Sequence, residues 1–114
     1  MKPLITAALI ALINVSTYPA MAGHVTGIEL LGYCESQDLA EWGFCSGFIW
    51  GVADGHQLTS DESTSFCSPE GATSDQMGRV VVKYLRDHPE KLHEHAVLLV
   101  AIALIEAWPC IGGV

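Results

Sequence analysis

The side chains of this 114-residue sequence that could carry chemistry are four cysteines, five histidines and thirteen carboxylates. Cys34, Cys45, Cys67 and Cys110 form no CxxC pair, and no HxxxH pair stands at zinc-ligand spacing. An even number of cysteines in a short chain with an export signal instead implies two disulfides, with three pairings open. The densest cluster of functional side chains is His88, Glu90, His93, Glu94 and His95. Glu90 and His93 stand three apart on one helical face, but His93 and His95 diverge and spoil a chelate. His24 would be the second residue of a chain cleaved after Ala22, where an amino-terminal copper motif needs it third. No GxSxG elbow, HExxH helix or phosphate-binding glycine loop is present. With the cysteines committed to pairing, the sequence predicts no enzyme, no metal and no cofactor.

The first 22 residues read as a signal peptide. Lys2 supplies the positive charge, Leu4 to Ile13 is apolar apart from Thr6, and Ala20-Met21-Ala22 is the small-x-small pattern of a cleavage site. The apolar run falls short of the ~20 residues a membrane span needs. Cleavage after Ala22 leaves residues 23–114, which is 114 less 22, or 92 residues: one domain. Losing Lys2 takes the formal charge from −8 to −9, with Arg79, Lys83, Arg86 and Lys91 set against thirteen acids. That balance argues against nucleic acid or an anionic membrane as partner and suits a basic protein.

The elements that must position these residues are helical. Thr26-Gly27-Ile28-Glu29 fits a capping box that opens a short helix carrying Leu30, Leu31 and Cys34. Asp38 caps a second helix over about 39–57, in which Trp42, Cys45, Phe48, Ile49 and Val52 recur as one buried face. Gly43, Gly47, Gly51 and Gly55 form a ridge on that helix, each glycine costing about 1 kcal/mol of helix propensity relative to alanine. Close approach of a neighbouring helix would offset that cost, inside the core or at a dimer seam.

Residues 56–66 have no sustained periodicity and are polar in the middle, where Thr59, Asp61 and Glu62 fall. So long an irregular segment in so small a domain is either functional or a solvated linker. Thr73-Ser74-Asp75-Gln76 is a second capping box, opening a helix over 74–87 with Met77, Val80, Val81, Tyr84 and Leu85 inward. His88-Pro89 ends it, and Pro89 suits the first position of a last helix over 89–107. Its ten consecutive apolar residues, Ala96 to Ile105, are too few to cross a bilayer and read as a core helix buried nearly all round. The fold class is all-α: a small disulfide-stapled bundle of about four helices.

Cys45 lies two turns inside its helix and Cys34 just before it, about 10 Å apart along the axis at 1.5 Å per residue. Disulfide-linked Cα atoms stay within ~7 Å, so a Cys34–Cys45 bond would require a sharply crossing first helix. The spacing therefore favours Cys45–Cys67 and Cys34–Cys110.

Several stretches carry a resemblance. They are Leu30-Leu31-Gly32-Tyr33-Cys34, Phe44-Cys45-Ser46-Gly47-Phe48-Ile49-Trp50-Gly51-Val52-Ala53-Asp54 and Phe66-Cys67-Ser68-Pro69-Glu70-Gly71. Val81-Val82-Lys83-Tyr84-Leu85-Arg86-Asp87-His88-Pro89-Glu90 comes next, and an alanine- and leucine-rich helix closes on Trp108-Pro109-Cys110. In this order the chain resembles the Rap/Tai immunity proteins, which protect bacteria against type VI secretion amidase effectors. The resemblance implies a periplasmic, all-helical protein, commonly a homodimer, that occludes a peptidoglycan amidase with a protruding loop. By position that loop is residues 56–66, with Asp61 and Glu62 able to approach a cysteine–histidine active site. A small periplasmic acid-stress chaperone is the alternative, permitted by the excess of acids and the His88–His95 cluster.

Overall fold

The computed structural model describes residues 23–61 and 65–110; the signal-peptide reading falls on residues 1–22, outside the described residues. Among the described residues four α-helices form in chain order: α1 (Gly27–Glu35), α2 (Leu39–Thr59), α3 (Ser74–Asp87) and α4 (Ala96–Ala107), with a 3₁₀ turn at Pro89–Lys91 before α4. The all-α bundle expected from the sequence is what forms.

Each of the first three helices starts at the predicted cap. Thr26 and Glu29 close a full capping box, Asp38 accepts from Ala40 N (2.9 Å) and Glu41 N (3.1 Å), and Thr73 accepts from Gln76 N (3.1 Å). These bonds satisfy backbone donors that a helix start leaves unpaired. In the Thr26–Glu29 box the backbone N–H and the hydroxyl of Thr26 both donate to the Glu29 carboxylate, at 2.8 and 3.0 Å, and lower its pKa.

The core is one apolar cluster. Leu30 of α1, Ile49 of α2, Val81 and Leu85 of α3, and Leu99, Val100 and Leu104 of α4 are its fully buried large side chains. On α3 the expected inward face forms: Met77, Val81, Tyr84 and Leu85 are buried, with Val80 packed partly against them.

The last helix departs from expectation at its start. It begins at Ala96 rather than at residue 89, because the chain between them turns its carbonyls toward α1. Leu92 O and Glu94 O accept from Ile28 N and Gly27 N, both at 2.9 Å, while Ala96 N donates to Val25 O at 2.8 Å. Those carbonyls serve the orphan donors of another helix's first turn, so they cannot also propagate their own. Nor is α4 buried nearly all round: Val97 and Leu98 are 55% and 52% exposed.

Both disulfides differ from the expected pairing. The bonds are Cys34–Cys45 and Cys67–Cys110, each with Cα atoms 5.0 Å apart. The axial estimate failed because α1 folds back on α2 as a helical hairpin. Residues 36–38 make the turn, and Cys34, in the last turn of α1, then lies beside Cys45 instead of beyond the end of α2. The Arg86–Glu35 ion pair, 3.0 Å, ties the same corner to α3.

Candidate partner-binding site

The irregular segment expected at 56–66 begins later. His56 to Thr59 complete the last turn of α2, and the Thr59 hydroxyl donates to Gly55 O at 3.0 Å. Thr59 is thus a helix-end residue and not a loop residue. Its hydroxyl can bond within the turn, which removes the break that the polar composition suggested. Ser60 caps the helix end through its N–H to His56 O, 2.9 Å. Asp61 is exposed, and its carbonyl accepts from Ser65 Oγ at 2.7 Å. Glu62 lies outside the described residues.

A clasp holds the far side of this segment. Phe66 is buried and bridges to Pro109, Cys67 N donates to Trp108 O (2.8 Å), and Cys67 is bonded to Cys110. The His56 ring stacks on Phe66 with centroids 6.3 Å apart. Beyond the clasp, Ala72 N closes a turn onto Pro69 O (3.1 Å), in which Gly71 has φ +84°. A side chain there would be strained, so glycine is required. Asp61 therefore stands two residues past the end of α2, and Ser65 directly precedes the buried Phe66 and the disulfide-bonded Cys67.

The glycine ridge does not pack inside the chain. At Gly43, Gly47, Gly51 and Gly55 an added Cβ would meet nothing within 4 Å, and all four are exposed. Only Cys45, Ile49 and Ala53 of α2 are buried, a single stripe four residues apart. Trp42, placed by the sequence on the buried face, is 47% exposed. The turn that brings α1 onto α2 covers Cys45 and leaves the flanks of that face open. Beside the ridge, Val97 and Ala101 of α4 complete a shallow groove with Gly47, Phe48, Gly51 and Gly55.

A second cleft, ≈ 410 Å³, runs between α2 and α3, with Trp42 and the Cys34–Cys45 bond on one wall and Arg79, Lys83 and Arg86 on the other. Its cations are paired with Asp75 (2.9 Å), Asp87 and Glu35 (3.0 Å), all exposed. The Lys83 ammonium lowers the Asp87 pKa. Exposed pairs of this kind contribute little to stability.

The histidine cluster is dispersed. His88 Nδ1–H donates to Tyr84 O (2.8 Å) and its ring stacks on Tyr84, while His95 stacks on His24 with centroids 4.4 Å apart. Glu90 and His93 share no helical face, because Glu90 is in the 3₁₀ turn and His93 lies beyond it. Among the described residues no group of three or more His, Cys, Asp or Glu is placed to hold a metal, and no cysteine is free. No described helix is long and apolar enough to cross a membrane. The arrangement offers surfaces for a protein partner: an anchored acidic segment, an uncovered helix face and a cleft.

Comparison with known proteins agrees with that reading. No curated protein and no solved structure matches the chain. The family model of the Rap1a immunity proteins matches residues 26–110, all four helices and both disulfides included, and the chain belongs to that family.

Proposed function

We propose that the chain is exported behind a signal peptide cleaved after Ala22. In the periplasm it acts as a homodimeric immunity protein that binds and occludes a peptidoglycan amidase effector of a type VI secretion system. Membership of an immunity family supports binding to a cognate effector. One observation supports the occlusion: Asp61 is exposed just past the end of α2, and the chain that follows is tied down at Phe66 and by the Cys67–Cys110 bond. Anchors on either side of a binding residue reduce the freedom lost on association, which is how preorganisation favours binding.

The test is the double change Asp61→Lys with Glu62→Lys in cells exposed to the effector. Asp61 is exposed, so the melting curve should hold. Breaking a buried charged contact with the enzyme costs about 2–5 kcal/mol, or several decades in affinity at ~1.4 kcal/mol each. Protection should be lost. Protection that survives this change and replacement of residues 60–65 by a glycine–serine linker excludes the segment. The uncovered apolar side chains of α2 favour the acid-stress chaperone as a second reading, which holdase activity confined to strongly acid pH would support.

A further inference from the structure

The chain ahead of α1 is held against the start of α4. Ala96 N donates to Val25 O at 2.8 Å, Gly27 N donates to Glu94 O at 2.9 Å, and Thr26 pairs with His95 as an isolated antiparallel bridge. This pairing sets the His24 ring on the His95 ring, with centroids 4.4 Å and planes 25° apart. Both histidines are exposed, so their ring nitrogens are open to a ligand. Side chains alone do not complete a metal site here, but cleavage after Ala22 adds a donor that no side chain supplies: the amine of Gly23.

We propose that the cleaved N-terminus is a Cu(II) site, with the Gly23 amine, the backbone nitrogen and Nδ1 of His24, and an imidazole nitrogen of His95 as its four ligands. The inference rests on the proposed cleavage after Ala22, which makes Gly23-His24 the first two residues. The amine, the His24 amide nitrogen and the His24 imidazole close adjoining chelate rings. They fill three corners of a square plane, the geometry Cu(II) takes with nitrogen ligands. A histidine in third place would fill the fourth corner too, through a second amide nitrogen. With histidine in second place that corner stays open, and the imidazole beside it is that of His95.

Charge and donor type select the ion. Residues 23–114 carry a formal charge of −9, a field that concentrates cations. Calcium and magnesium take oxygen ligands, which this set lacks. Zinc prefers a tetrahedral site and ranks below copper in affinity for nitrogen donors. The backbone bonds of Val25 and Gly27 bring the two histidines together before an ion arrives. Both rings then need only turn about their side-chain bonds, from facing each other to converging on the metal. His95 is able to turn, because its side chain makes no capping bond to α4.

Titration of the oxidised chain begun at Gly23 with Cu(II), followed by visible absorption and electron paramagnetic resonance, tests this. One equivalent should bind and give the spectrum of four equatorial nitrogens. His95→Ala should weaken binding and shift the absorption band to longer wavelength, as oxygen replaces one nitrogen. A chain begun at Ala20, which puts His24 fifth and carries the amine away, should lose the site. His95 is exposed and caps nothing with its side chain, so the metal-free variant should keep the wild-type melting curve. A Gly23 chain that binds no copper overturns the proposal, as does a folded His95→Ala variant with the wild-type spectrum and affinity. The intact mass of the chain recovered from the periplasm separates the site from the cleavage. An exported chain with another first residue sinks the cleavage after Ala22, whereas an exported chain that begins at Gly23 and binds no copper sinks the metal site alone.

Discussion

Gly27→Ala is the substitution whose cost the structure defines best. Gly27 is the first residue of α1 and is buried where α1 meets the 92–96 segment. A Cβ there would stand 2.5 Å from Leu99 Cδ1 and 3.2 Å from both Cα and O of Leu92. Leu99 is fully buried and cannot swing away, and the Leu92 backbone is fixed by its bond from Ile28 N at 2.9 Å. Relief requires α1 to move outward, stretching that bond and the one from Gly27 N to Glu94 O. Overpacking of this kind costs about 1–3 kcal/mol, which for a domain of this size lowers Tm by roughly 5–20 °C. Gly32→Ala is the control in the same helix: nothing lies within 4 Å of its Cβ position, and alanine there should gain up to about 1 kcal/mol of helix propensity. The two variants should move the thermal melt, followed by circular dichroism, in opposite directions. A Gly27→Ala chain melting at or above wild type would refute the packing argument.

The two disulfides should differ in worth. Closing separations of 43 and 11 residues contributes about 4 and about 3 kcal/mol in the chain-entropy model. The Cys67→Ala, Cys110→Ala chain should therefore unfold at lower urea than the Cys34→Ala, Cys45→Ala chain, and the reverse order would contradict that model here. Glu29 predicts an acid dependence. Its folded pKa is depressed by the Thr26 backbone and hydroxyl donors, so its contribution is complete above the ordinary glutamate range and is lost as the pH falls through the folded value. The melting difference between wild type and Glu29→Gln should shrink toward zero on acidification, and a gap that persists in strong acid would count against the capping box as its source.

Local chemistry was legible in the sequence because it depends on neighbours in the chain. Thr26, Asp38 and Thr73 each announce a helix by a side-chain oxygen two or three residues ahead of the donor it serves, and all three do so. The inward face of α3 comes from periodicity alone. Features that depend on how two elements meet were not legible. Cys34–Cys45 needed the α1–α2 hairpin, and the break before Ala96 needed α1 to draw the carbonyls of Leu92 and Glu94. The glycine ridge was visible, but whether it faced inward depended on the element opposite, and opposite it is open space. Of the anticipated partner loop, Asp61 stands on the anchored segment, and Thr59 belongs to the helix before it.

The order of the cross-links also bears on how the chain is made. Cys34 bonds to Cys45 and Cys67 to Cys110, so each cysteine joins its neighbour along the chain and no loop encloses another. A polypeptide delivered N-terminus first and oxidised as it emerges reaches this pattern by pairing each unpaired cysteine with the next to appear. Native connectivity then needs no reshuffling. The hairpin of α1 and α2 can lock before α3 and α4 have arrived, and the second bond becomes available only when Cys110, close to the end of the chain, comes through. A cut between Asp61 and Ser65 would leave two separately cross-linked halves held together only by the core.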